Sequence, residues 1–169
     1  MRAKSAPMGW GRANVARVTY ATADARQQIL DVLGQAAEHL GVALAQLGAA
    51  HELLDEHMAE RLEDELFGPV KLAYGRARRG HADFAQRHEL PTRTFEPALP
   101  AAPSHGAKGL IEAAADTVSA CDGELAELQD SMLPVEVGDA PLRADLEQVR
   151  RGIADFRTHA RELLRTLGR

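Results

Sequence analysis

Apolar residues recur every three or four positions along most of the chain, the spacing that places side chains on one face of an α-helix. A first stripe runs Ile29, Leu33, Ala36, Leu40, Leu44, Leu47 and Leu54; a second runs Met58, Leu62, Leu66, Val70, Tyr74, Ala77, His81 and Phe84. Read as one helix, residues 22–88 would extend about 100 Å at 1.5 Å per residue, too long for a compact chain to cover. A turn at Asp55–His57 divides the stretch into two helices of similar length, and it is preferred to a turn at Gly48. Thr22 is placed to cap the first helix, with Asp24 in its first turn. Within the second, Gly68-Pro69 predicts a kink, or a full break, because proline removes a backbone donor and crowds the preceding turn.

A third stripe is Leu110, Ala114, Val118, Cys121, Leu125, Leu128 and Met132, opened by Ser104 as a cap. Pro134 and Gly138 mark a turn, and Pro141 falls in the first turn of a fourth helix, where proline is tolerated. The fourth stripe, Leu142, Leu146, Val149, Ile153, Phe156, Ala160, Leu163 and Leu167, alternates steps of four and three, as near-antiparallel helix packing requires. Between the two pairs, residues 89–104 hold Pro91, Pro97, Pro100 and Pro103 and read as an extended linker. From Pro91 to Ser104 it can reach about 43 Å, nearly the length of a thirty-residue helix, so it can cross an end of the molecule or run its whole length.

These elements predict an all-α chain: a four-helix bundle of two antiparallel helical hairpins joined by the Pro-rich linker. Helices fall at about 22–54, 58–88, 105–133 and 140–168 in one domain spanning 22–169, and residues 1–21 form a basic flexible arm that Trp10 and Tyr20 can tack onto the bundle. Composition agrees: aromatic residues are 4% and alanine and leucine dominate, which favours helix over sheet. Residues 105–139 set Lys108 against eight acids, whereas residues 140–169 carry seven arginines against four acids, so the last two helices suit each other as neighbours. The net charge of -5 and the few aromatics argue against nucleic acid. One cysteine, no apolar run behind Arg2 and Lys4, and no stretch of about 20 apolar residues point to a cytoplasmic protein outside the membrane.

Candidate chemistry is sparse. A carboxylate-bridged di-iron bundle needs Glu-x-x-His on two helices; no histidine here has a glutamate three residues before it, and the four stripes carry no carboxylate. With one cysteine, zinc would rest on i,i+4 pairs such as His51/Asp55 and Asp155/His159, which any charged helix supplies. No metal, no cofactor and no catalytic residue is assigned, and an enzyme is disfavoured. Gly34, Gly41 and Gly48, spaced by seven with Ala37 and Ala45 between them, make a ridge without side chains where another backbone can approach. Each glycine inside a helix costs about 1 kcal/mol against alanine, so the ridge reads as an interface, most simply with a second copy. The expectation is therefore a non-enzymatic protein acting through protein–protein contact as a homodimer, with a further protein partner at the charged first hairpin (acidic over 52–65, then basic through Lys71, Arg76, Arg78 and Arg79). The alternative is a small-molecule- or metal-binding bundle, or an enzyme of that form, with a polar pocket on Tyr74, His81 and His88, which share a face at intervals of seven, joined by His159.

Overall fold

The computed structural model describes residues 10–99, 102 and 106–168, with side chains from residue 22 onward; it is all-helical, with no strand among the described residues. Helix α1 spans Trp10–His51, so residues 10–21, expected in the arm, have helical backbone, and Thr22 lies inside the helix rather than at its cap. No proline or pair of turn residues interrupts 12–24, and nothing there stops a helix from continuing. Residues 1–9 and the expected cap Ser104 lie outside the described residues, as do the side chains of Trp10 and Tyr20. Gly48 stays within α1, and the chain turns over 52–55. Asp55 ends the turn as an N-cap, its Oδ1 accepting from the Met58 N–H at 3.0 Å and satisfying one orphan donor of α2, Glu56–Leu62.

The chain neither breaks nor restarts at Pro69. Between α2 and α3 (Gly68–Arg87) lies one π-helical turn, Glu63–Phe67, in which the Gly68 N–H reaches back to the Glu63 carbonyl. A proline ring collides with the carbonyl four residues before it, here Glu65. The wide turn opens that part of the ladder, so the helix takes in Pro69 and Leu62, Leu66 and Val70 all stay buried.

The end of α3 launches the linker. Leu90 N–H bonds the Ala85 carbonyl at 2.8 Å and Glu89 N–H bonds that of Gln86 at 3.3 Å, the pair of bonds that defines a Schellman cap. The motif needs a left-handed residue at the position held by Glu89, whose φ is 55°. Glycine adopts this conformation without the Cβ clash that costs other residues about 1–2 kcal/mol. Glu89→Gly should therefore raise stability by about 1 kcal/mol in urea unfolding; an unchanged or lower midpoint would contradict the strain at this cap.

Helix α4 spans Gly106–Asp130 and buries Leu110, Ile111, Ala114, Val118, Cys121, Leu125 and Leu128. It ends before Met132, which is exposed rather than on the core stripe. A short helix α5, Leu133–Val137, then turns on Gly138 (φ 69°) into α6, Ala140–Leu167. All of the α6 stripe from Leu142 to Leu163 is buried.

Helix α1 packs against α3 and α4, and α6 packs against the same two. Each pairing is antiparallel: α1 with α3 because Gly41 adjoins Tyr74 while Asp31 adjoins His81, α4 with α6 because Arg157 reaches Asp122 while Arg150 reaches on to Gln129, and the other two by the contacts that follow. Gln46 meets Thr117 at 3.2 Å and His39 meets Glu124 at 3.5 Å. Arg76 reaches Asp145 at 3.4 Å while Arg87 reaches Asp139 at 2.9 Å. Asp122 on α4 accepts from Arg150 at 2.8 Å and Arg157 at 3.3 Å on α6, so acid and base do meet across that pair. Because α3 and α4 run in the same direction, the linker must return along the molecule. Residues 91–98 accordingly lie beside α1, first near Gln27–Glu38 and then near Ala37–Val42.

Candidate functional site

The returning segment and the α1–α3 groove enclose two cavities. One, of about 430 Å³, is walled by Gln27, Asp31, Gln35 and Glu38 of α1, His81 of α3, and Arg93. The four α1 residues recur at helical spacing and so form one polar edge beside the leucine stripe. The other cavity, of about 510 Å³, is walled by Ala37, Glu38, Gly41, Tyr74, Phe95 and Glu96 among others. Glu38 borders both.

Arg93 and Phe95 strap the segment down. Arg93 Nη2 lies 3.0 Å from Glu38 Oε1, and its guanidinium sits over the Phe95 ring at 4.9 Å. Phe95 in turn meets the His81 ring edge-on, at 5.1 Å and 86°. The guanidinium lies directly on Gly34, where a Cβ would fall 2.6 Å from Arg93 Nη2. One phenylalanine among prolines is the signal in the sequence that this linker docks; no reading of helical stripes could have selected it.

His81 is 2% exposed, and its Nδ1 is buried with no hydrogen-bond partner among the described residues. An unpaired buried polar nitrogen is unfavourable, typically by about 1–3 kcal/mol. Burial pushes the His81 pKa below its ordinary value, and the Arg93 charge pushes the same way against the weaker pull of Asp31. The imidazole is therefore neutral at pH 7, and each molecule offers one acceptor and one donor nitrogen.

The other residues singled out by sequence divide. Tyr74, half-buried, lines the second cavity beside Gly41 and carries Arg78 over its ring at 5.3 Å. His88 does not join the groove: its Nε2 meets Asp139 Oδ2 at 2.8 Å and its ring lies against Phe84. His159 lies on α6, lines neither cavity, and is not brought to His81. Of the four, His81 lines the first cavity and Tyr74 the second, and His88 and His159 line neither. On the glycine ridge, a Cβ at Gly41 would meet Tyr74 Cε2 at 3.4 Å, so at Gly34 and Gly41 the close approach is made by this chain's own Arg93 and Tyr74. Ala37 is fully buried and Ala45 half-buried, while a Cβ at Gly48 would meet nothing within 4 Å.

Two further features bear on chemistry. Among the described residues no three His, Cys, Asp or Glu side chains converge as metal ligands, and no helix is long and apolar enough to cross a membrane. Cys121 is fully buried, and burial pushes its thiol pKa up to about 12, so no thiolate forms near neutrality. Thiol reagents should label Cys121 only at the rate of unfolding; rapid labelling of the native chain would refute its burial.

No protein-family model matches the chain, and neither the curated proteins nor the solved structures contain a match.

Proposed function

We propose that the chain is a ligand-binding four-helix bundle, with α1 and α2–α3 as one antiparallel hairpin, α4 and α6 as the other, and the Pro-rich linker completing a small-molecule site over His81 and Tyr74. The pairing of α1 and α6 with both α3 and α4 supports the bundle. The observation that carries the function is the neutral, buried His81, its Nδ1 unpaired, on the wall of a 430 Å³ cavity rich in polar groups. Ligand sites usually set a few polar groups against apolar walls; here the 430 Å³ cavity supplies the polar groups, and the adjoining one, lined by Ala37, Val42, Tyr74 and Phe95, the apolar share. The competing reading, a homodimer through the glycine ridge, loses its main support because Arg93 and Tyr74 of the same chain cover Gly34 and Gly41.

Binding without catalysis fits the groove better than an enzyme does. Its carboxylates are exposed and its histidine carries no orienting partner on Nδ1, so no acid–base pair is assembled. The test compares the protein with His81→Leu across small molecules of differing charge, read by thermal unfolding. The variant should be more stable by about 1 kcal/mol, because an unpaired buried nitrogen is removed. The parent should gain about 2.7 kcal/mol at a hundredfold excess of ligand over Kd, and the variant should gain nothing. A ligand shift of equal size in both proteins, or none with any compound, would overturn the proposal.

A further inference from the structure

We infer that the groove takes an extended organic cation carrying two or more ammonium groups, in chemical class an aliphatic polyamine. The inference rests on the ligand-binding reading above and specifies what is bound. The two cavities are lined by the carboxylates of Asp31, Glu38 and Glu96 and by one guanidinium, that of Arg93, with Arg78 stacked over Tyr74 at the edge of the second. The charge is spread, not focused. Asp31 and Glu38 are seven residues apart on α1, about 10 Å along its axis, and Glu96 stands on the opposite wall. No three potential ligands converge on a point among the described residues, so a small metal ion has no nest here, while a flexible chain can meet successive carboxylates.

The walls between those carboxylates suit methylene spacers. Ala37, Gly41 and Val42 supply an apolar floor, and the Tyr74 and Phe95 rings supply faces that attract cations. The existing contacts already display this chemistry, with Arg93 over Phe95 and Arg78 over Tyr74. The Arg93–Glu38 pair is half-exposed, at 46% and 55%, so little is lost when an ammonium takes the place of the guanidinium on Glu38. His81 borders the first cavity as a neutral ring and adds no positive charge there; its enclosed, unpaired Nδ1 accepts an ammonium N–H only when the groove opens around it. An anionic or zwitterionic ligand that brings its carboxylate to Arg93 meets the repulsion of Asp31, Glu38 and Glu96 along the same groove.

Calorimetric titration of the full chain with spermidine tests this, with glutarate and magnesium chloride as further probes. Saturable binding of one spermidine per chain is expected, weakened about threefold by Asp31→Asn and by Glu96→Gln, as for loss of one exposed ion pair each. The two together should weaken it about tenfold. Glu60→Gln combined with Glu63→Gln, in the other acidic stretch, should leave the affinity unchanged. Spermidine binding that survives the groove substitutions, or falls with the Glu60/Glu63 pair, would overturn the inference as charge attraction elsewhere. Stoichiometric magnesium that displaces spermidine would overturn it in favour of a metal site. Glutarate bound in its place and lost in His81→Leu would overturn the cation class and keep the pocket, whereas no saturable binding of any small molecule would overturn both.

Discussion

Phe84→Ala should destabilise the protein by about 3–5 kcal/mol, the range for truncating a fully buried phenylalanine. Phe84 is 0% exposed and is among the largest fully buried side chains. Its loss removes apolar burial and leaves a cavity, because a close-packed interior relaxes only in part. The ring also lies 4.4 Å from that of His88, centroid to centroid, so the same substitution loosens the histidine that contacts Asp139. For a domain near this size each kcal/mol moves Tm by about 2–4 °C, giving a fall of roughly 6–20 °C. Urea unfolding should show the lower midpoint with an unchanged slope. A loss under about 1 kcal/mol would mean that the end of α3 is not packed as described.

The elements legible in sequence are those whose signal is local and repeated. The stripe of α6 was readable because seven apolar positions recur without interruption, and all of them from Leu142 to Leu163 are buried. Thr22 has good cap chemistry, yet a cap acts only where the helix otherwise ends, and α1 begins twelve residues earlier, at Trp10. Met132 fits the period of the third stripe, but α4 stops at Asp130 and the chain turns through α5 before that residue can point inward. At Pro69 sequence offered a kink or a break; a single wide turn satisfies the same steric demand, and the choice depends on keeping Leu66 and Val70 on one packed face. His81 was visible as a polar residue on an apolar stripe. Its neighbours were not, because Arg93 and Phe95 reach it from a segment without periodicity whose path depends on the relative direction of α3 and α4. Glycine spacing says that clearance exists and not what fills it: Arg93 lies at Gly34, Tyr74 at Gly41, and nothing within 4 Å of a Cβ at Gly48.

Asp139→Ala should cost about 3 kcal/mol and expose a pH dependence that the parent owes to this one carboxylate. Asp139 is 6% exposed and stands at the start of α6, where it closes the end of α3 onto the second hairpin turn. Oδ1 accepts from the Leu142 N–H at 2.8 Å and from Arg87 Nη2 at 2.9 Å; Oδ2 accepts from Arg87 Nε at 3.0 Å and from His88 Nε2 at 2.8 Å. Loss of an N-cap is worth about 1 kcal/mol, and hydrogen bonds to a charged group about 1.5–3 kcal/mol. The second figure is reduced because Arg87 is 33% exposed and recovers water when its partner goes. Burial alone would raise the Asp139 pKa, but the hydrogen bonds from Arg87, Leu142 and His88 outweigh it and hold the carboxyl below its ordinary 3.8. A folded-state pKa lower than the unfolded one contributes stability that is complete above pH 3.8 and is lost as pH falls through the folded value. The difference between parent and variant should therefore be constant near neutrality and shrink below pH 3.8. Asp139→Asn, which keeps an acceptor for Leu142 N–H and removes the charge, should fall between the two. A gap that persists undiminished at pH 2 would show that Asp139 holds the two helices by shape and capping, with its negative charge contributing little.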